Sequence, residues 1–241
     1  MKKNSLDDRF GPLKNPLIIA LDVDSDQQAL KLANNLSEFA GGYKLGPRLL
    51  HRYGPTLSEK IAKIAPVFVD CKFFDIPSTM EAAVQACFDS GASLVTVHAL
   101  AGIEALTRLA ELENKLNQER SFRILCVTIL TSWNEQSFPA NFKVLPVDQH
   151  VQNLVDLVQA SGLSGVVCSP EELDLFLGKN LYLVTPGIRL EKNSKNDQKR
   201  TKTPFEAMKA GASALVVGRP IIEAADPWKA AMEISLSMVG E

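Results

Sequence analysis

Long apolar runs are missing from this chain: nowhere does it approach the ~18 consecutive apolar residues that a membrane span needs. Its opening, MKKNSLDDRFGPLKN, has two early lysines with no apolar stretch behind them, so the expectation is a chain neither exported nor membrane-inserted. One-sided charge is missing too. The formal net charge of −2 provides no basic field for nucleic acid and favours a small-molecule partner. Cysteine is sparse: Cys71, Cys87, Cys126 and Cys168 form no C-x-x-C pair. Three of them fall in or at the end of strand-like runs, which suits buried thiols in a reducing, cytoplasmic setting rather than disulfides or zinc. The motifs G-x-S-x-G, H-E-x-x-H, the P-loop and G-x-G-x-x-G are all absent, which removes the commonest hydrolase, metalloprotease and nucleotide-loop readings. His51, His98 and His150 are the three histidines and stand apart from one another. His51 and His150 fall on predicted helices, while His98 ends a predicted strand, lining a pocket or held by hydrogen bonds.

What the chain does have is alternation. Short β-rich apolar runs occur at Leu17–Leu21, Gly42–Leu45, Val67–Lys72, Leu94–His98, Arg123–Leu130, Gly165–Cys168, Leu181–Thr185 and Ala214–Val217. Between them lie amphipathic segments such as Asp26–Phe39, Thr56–Ala65, Thr79–Ser90, Ile103–Asn117 and Val147–Ala160. Strands that are apolar throughout are buried on both faces, as in a parallel sheet. Strand and helix alternating around eight strands predict a single (β/α)8 TIM barrel with its active site at the C-terminal ends of the strands, an open doubly wound sheet being the alternative. No Pro-, Gly- or Ser-rich linker divides residues 1–241, so one domain is expected, with residues 1–15 as an N-terminal extension packing outside the barrel. Ser132–Pro146 and Gly187–Thr203 are long connections that emerge on the expected active face. Trp133, Phe138 and Phe142 in the first could form a lid, pack at an interface or simply cover surface.

The polar residues predicted at that face carry the chemistry. VFVDCKFFDIPST ends an apolar strand in a D-x-K-x-x-D array of Asp70, Lys72 and Asp75. Desolvating two carboxylates and an ammonium there costs several kcal/mol, which structure alone rarely requires. Strict alternation along Val69–Lys72 would turn Asp70 and Lys72 to one side, beside Asp22 and Lys44 from neighbouring strands. Each has a plainer reading: Asp22, or Asp24 and Ser25 after it, could cap a helix, and a lone strand-end lysine is usually solvated. A second cluster, with Arg189 in TPGIR, Gln198 in DQKR, and Gly218 and Arg219 in VVGRPI, reads as a phosphate site. Backbone N–H groups beside a glycine and a guanidinium suit an anion, and barrels often hold phosphate after strands seven and eight. Packing punctuation and a solvated loop are the plainer alternatives.

Taken in order, IIALDVDS, YKLGPRLL, DCKFFDIPST, VTVHALAG, VTILTS, LVTPGIR, DQKR and VVGRPI resemble the orotidine 5′-phosphate decarboxylases from Leu17 to about Pro227. The resemblance implies decarboxylation of orotidine 5′-phosphate to UMP in de novo pyrimidine biosynthesis, without metal or cofactor. It implies Lys72 as proton donor to C6, Asp70 against the substrate carboxylate, and Asp22 and Lys44 on the ribose hydroxyls. Lys44, Asp70, Lys72 and Asp75 would form one charge network. Asp75 and Thr79 would reach the site across a homodimer interface. Thr131 would contact the pyrimidine amide edge and Pro186 the ring, while Arg189, Gln198, Gly218 and Arg219 would hold the 5′-phosphate. Two other readings stay open: a magnesium-dependent sugar-phosphate decarboxylase or aldolase on a related barrel, and a non-catalytic nucleotide-phosphate-binding barrel.

Overall fold

A computed structural model describes residues 11–130, 133, 139, 145–188 and 202–239. Eight strands pair in parallel, each with the next, and the last closes onto the first. They are β1 (Leu17–Ala20), β2 (Gly42–Leu45), β3 (Val67–Phe73), β4 (Ala92–His98), β5 (Arg123–Val127), β6 (Gly165–Val167), β7 (Tyr182–Pro186) and β8 (Ala214–Val217). Helices α1 (Asp26–Asn35), α2 (Pro47–Ala62), α3 (Pro77–Asp89), α4 (Gly102–Leu116), α5 (Val147–Ala160), α6 (Pro204–Lys209), α7 (Arg219–Ile222) and α8 (Pro227–Ser237) supply the outer layer. The predicted (β/α)8 TIM barrel is therefore the observed fold. No helix among the described residues is long and apolar enough to cross a membrane.

Alternation along the strands divides the core in two. Ile18, Ala20, Phe68, Leu94, Leu125, Tyr182, Val184, Ala214 and Val216 form one buried cluster, filling the lumen. Their neighbours, including Leu17, Ile19, Tyr43, Val69, Val95, Ile124, Val166 and Leu215, pack outward with Ala33, Met80, Val84, Leu106 and Val155 from the helices. Each fully buried aliphatic side chain is worth about 1.5–3 kcal/mol, so the continuous apolar runs drive closure. Leu13, in the segment expected outside the barrel, joins the lumen cluster and packs at its lower end.

Several boundaries differ from the sequence reading for local reasons. β5 stops at Val127 rather than Leu130 because its partner β6 spans only three residues, and Val127↔Val167 is their last pair. Between β6 and β7 the described return is a short 3₁₀ turn, Leu173–Phe176, instead of an α-helix, in a segment bounded by Pro170 and Gly178. The helix read from Thr56 starts earlier, at Pro47, and bends where Gly54 adopts φ 59° ahead of Pro55. β5 and β6 also approach closely: a Cβ on Gly165 would lie 2.2 Å from the Ile124 carbonyl oxygen, so only glycine fits.

Candidate active site

At the C-terminal mouth of the barrel lies a cleft of about 780 Å³. Its floor is apolar, from Ala20, Phe68, Val127, Val167, Val184 and Val216, and one wall is charged. Asp22, two residues past β1, Lys44 on β2, and Asp70 and Lys72 on β3 form that wall as a continuous chain of alternating charge. Lys44 Nζ lies 3.2 Å from Asp22 Oδ1 and 3.7 Å from Asp70 Oδ2, and Lys72 Nζ donates to Asp70 Oδ1 over 2.8 Å. Lys44 and Asp70 are only 13% and 16% exposed, whereas Lys72 is 39% exposed and faces the open cleft. Desolvation strengthens such pairs and makes breaking one costly. The plainer reading of Asp22 does not hold, because Ser25 caps α1 by accepting from Gln28 N–H.

Lys72 reaches Asp70 by a route that simple alternation does not describe. Val69 pairs with Val95 and Phe73 with Val97, so the β3 stretch between them bulges against a shorter stretch of β4. Within this bulge Lys72 has φ 51°, making it the one non-glycine residue at positive φ among the described residues. Left-handed backbone is unfavourable for a lysine and tends to be retained where function needs it. The buried Thr96 hydroxyl on β4 meets both residues: Lys72 N–H donates to it over 2.9 Å, and it donates to Asp70 Oδ1 over 3.0 Å. Thr96 lies inside the apolar run LVTV, so no sequence signal singled it out.

Pro186, Gly218 and Arg219 line the same cleft, as do Ile188, Pro220 and Glu223, which the sequence reading did not name. Gly218 precedes the first residue of α7, and Arg219 opens that short helix with an exposed side chain. Asp75 and Thr79 are exposed and stand outside the cleft lining. Asp75 accepts from Ile76 N–H over 2.7 Å and forms no ion pair among the described residues. Beside it Phe74 and Ile76 are 61% and 63% exposed, and Leu100 and Ile103 are 40% and 46% exposed. Thr131, Arg189 and Gln198, like Phe138 and Phe142, lie outside the described residues. Trp133 packs against the outer core.

His98 takes the hydrogen-bonded role. Its Nδ1 accepts from Leu100 N–H over 3.3 Å, and its ring lies against Phe74 with centroids 5.6 Å apart. Burial, then the nearby Lys72 charge, lowers its pKa and favours neutral imidazole. All four cysteines are free thiols, and burial raises the pKa of Cys71 beside the array. Among the described residues no group of three or more His, Cys, Asp or Glu side chains is arranged to hold a metal ion.

Such a wall offers an ammonium, oriented by a carboxylate, to a reacting atom above an apolar floor, while Gly218 and Arg219 line another part of the same cleft. Comparison with known proteins narrows this chemistry. Residues 15–234 match the model of the orotidine 5′-phosphate decarboxylase / HUMPS family. An orotidine 5′-phosphate decarboxylase of Trichlorobacter lovleyi is 40% identical, covering 90% of this chain and 92% of its own length. One from Chromohalobacter salexigens is 41% identical over 90% of this chain and 93% of the relative. The crystal structure of orotidine 5′-phosphate decarboxylase from Lactobacillus acidophilus superposes with a TM-score of 0.80 at 30% identity, covering 93% of this chain and 99% of that one. Barrel, charged wall and comparisons agree that the chain belongs to the orotidine 5′-phosphate decarboxylase / HUMPS family.

Proposed function

We infer that this protein decarboxylates orotidine 5′-phosphate to UMP in pyrimidine biosynthesis, and that the Asp22–Lys44–Asp70–Lys72 wall performs the chemistry. The observation carrying this reading is the alternation of charge within hydrogen-bond or ion-pair distance at the barrel mouth. When the bond from C6 to the carboxylate breaks, CO2 leaves and the electron pair stays at C6 in an sp2 orbital in the ring plane. No adjacent carbonyl delocalises that pair well, so electrostatics must stabilise it. The Lys72 ammonium, already held by Asp70, stabilises the developing charge without reorganising and then gives its proton to C6. Asp70 faces the substrate carboxylate. At about 4 Å and an effective dielectric of ~20 the two anions repel by about 4 kcal/mol, a cost relieved as CO2 departs.

The other roles follow the shape of a nucleotide. Asp22 and Lys44 take the ribose hydroxyls, Thr131 the amide edge of the pyrimidine and Pro186 the ring. Arg189, Gln198, Gly218 and Arg219 hold the 5′-phosphate, whose binding energy offsets the repulsion at the reacting end. In this reading 1–241 is one cytoplasmic domain, residues 1–15 being its N-terminal extension, and no metal or organic cofactor participates.

The active species is a homodimer in which Asp75 and Thr79 enter the partner's site and complete the network around Lys72. Two features support this. Asp75 makes no ion pair within its own chain among the described residues, and exposed apolar side chains stand beside it at Phe74 and Ile76 and at the entry to α4 at Leu100 and Ile103.

Loss of orotidine 5′-phosphate absorbance on adding EDTA-treated protein tests the reading. Steady turnover is expected. Activity abolished by EDTA and restored by Mg2+ would instead favour the magnesium-dependent barrel chemistry, and UMP binding with no turnover would favour a non-catalytic barrel.

A further inference from the structure

We propose that Thr96 is a positioning residue for decarboxylation, fixing both the backbone of Lys72 and the carboxylate of Asp70 through its one hydroxyl. The inference rests on the roles given above to Lys72 and Asp70, and it adds a residue whose side chain does not line the cleft.

A hydroxyl has a single proton to give. Lys72 N–H can only donate, so at 2.9 Å it occupies a lone pair of Thr96 Oγ1. The hydroxyl proton is then available to Asp70 Oδ1, 3.0 Å away, the same oxygen that accepts from Lys72 Nζ over 2.8 Å. Thr96 is fully buried, so water cannot take its place without repacking. Two donors thus converge on Oδ1 while Oδ2 faces Lys44 at 3.7 Å, which fixes the rotation of the carboxylate. The same hydroxyl receives the N–H of a residue displaced from the regular β3–β4 register, and so supports the positive φ of Lys72. Its direction is set from both sides, and a methyl group in its place would orphan the Lys72 N–H and leave Asp70 Oδ1 with one of its two donors.

Preorganised electrostatics is sensitive to such loosening, because the ammonium must already point at C6 when charge develops. Product UMP has no carboxylate for Asp70 to repel and needs no proton from Lys72, so its binding should be indifferent to Thr96. That separates positioning from general structural support.

The experiment compares Thr96→Val, Thr96→Ser and Lys72→Ala with the unmodified protein, measuring kcat, KM and the Kd of UMP. Thr96→Val should lower kcat on the order of 10²-fold, with UMP affinity changed by less than about threefold, and Thr96→Ser, which keeps the hydroxyl, should recover kcat to within about threefold. If Thr96→Val fails to fold, Thr96→Ala carries the same comparison. A hydroxyl-free variant that retains kcat within about threefold would overturn the inference, as would parallel loss of turnover and UMP binding, which marks a merely structural role. Lys72→Ala keeps the two readings apart: an active Lys72→Ala protein defeats the proton-donor assignment, whereas an active Thr96→Val beside an inactive Lys72→Ala defeats only the role of Thr96.

Discussion

Lys72 donates to Asp70 Oδ1 across 2.8 Å from a backbone held at φ 51°, so the shortest ion pair in the charged wall is made by its most strained residue. A side chain held this way cannot be traded for another cation of different shape. Lys72→Ala should lower kcat by at least ~10³-fold, the range expected when a positioned proton donor is lost, while UMP binding persists. Lys72→Arg should restore little, because a planar guanidinium neither fits the ammonium's place nor gives up a proton near neutral pH. Single-turnover kinetics and calorimetric titration with UMP check both; near-normal turnover by Lys72→Ala would defeat the assignment.

Asp75 lies on an exposed loop, away from the cleft of its own chain, and this makes sharing of sites between protomers measurable. Lys72→Ala and Asp75→Asn proteins should each be nearly inactive alone. Mixed and allowed to exchange subunits, they should recover about a quarter of full activity, because a mixed dimer has one site with both defects and one with neither. No recovery after demonstrated exchange would mean that each chain builds its site unaided.

The exposed Ile76 gives a second handle on the proposed interface. Ile76→Glu puts a charge where apolar surface is expected to meet its copy, and it should shift the protein toward monomer with a parallel loss of turnover. Sedimentation velocity at several concentrations follows the first effect and the decarboxylation assay the second. A variant that stays dimeric and active would place the contact elsewhere.

Glu172 supplies a pH signature independent of catalysis. It is nearly buried and accepts from Ser169 N–H over 2.9 Å; burial raises its pKa, the bonds from Ser169 oppose this, and Asp148 and Glu171 add to the rise. A carboxyl with a raised folded-state pKa contributes stability that is complete below its unfolded value near 4.5 and is lost as pH rises through the folded value. Glu172→Gln, which cannot ionise, should therefore gain stability relative to the parent as pH rises from about 4 to about 8. Thermal unfolding at the two pH values measures this, and a pH-independent difference would contradict it.

Gly165 tests the barrel itself. Its Cβ position is blocked by the Ile124 carbonyl at 2.2 Å and Leu125 Cδ2 at 2.9 Å, so Gly165→Ala must separate β5 from β6. The expected cost is about 1–3 kcal/mol, typical of overpacking, read from the urea midpoint.

Much of this molecule was written in local pattern. The apolar runs marked all eight strands, and period-two spacing put Asp70 and Lys72 on one side, where both line the cleft, because both properties depend on neighbouring residues. The bulge at Lys72 was not legible: it depends on the register between β3 and β4, set by residues more than twenty positions apart, such as the Lys72–Thr96 pair. Thr96 itself was hidden, since a threonine within LVTV reads as one more β-branched core residue until its two partners are seen. The turn at Leu173–Phe176 escaped for the opposite reason, its segment being too short for a helical period to establish itself. Glu223 lines the cleft from the C-cap of the short α7, a placement that no local pattern announces.

Leu13 packs at the lower end of the lumen, beside Gly42 at the start of β2 and in one cluster with Ile18 and Tyr182. On the function proposed above, a filled lower end sends gas and nucleotide back out through the mouth at which the nucleotide enters. If Gly218 and Arg219 grip the phosphate at that threshold as proposed, loosening the grip would speed emptying as well as weaken filling, and how firmly the rim holds its anion would bear on the pace of the cycle.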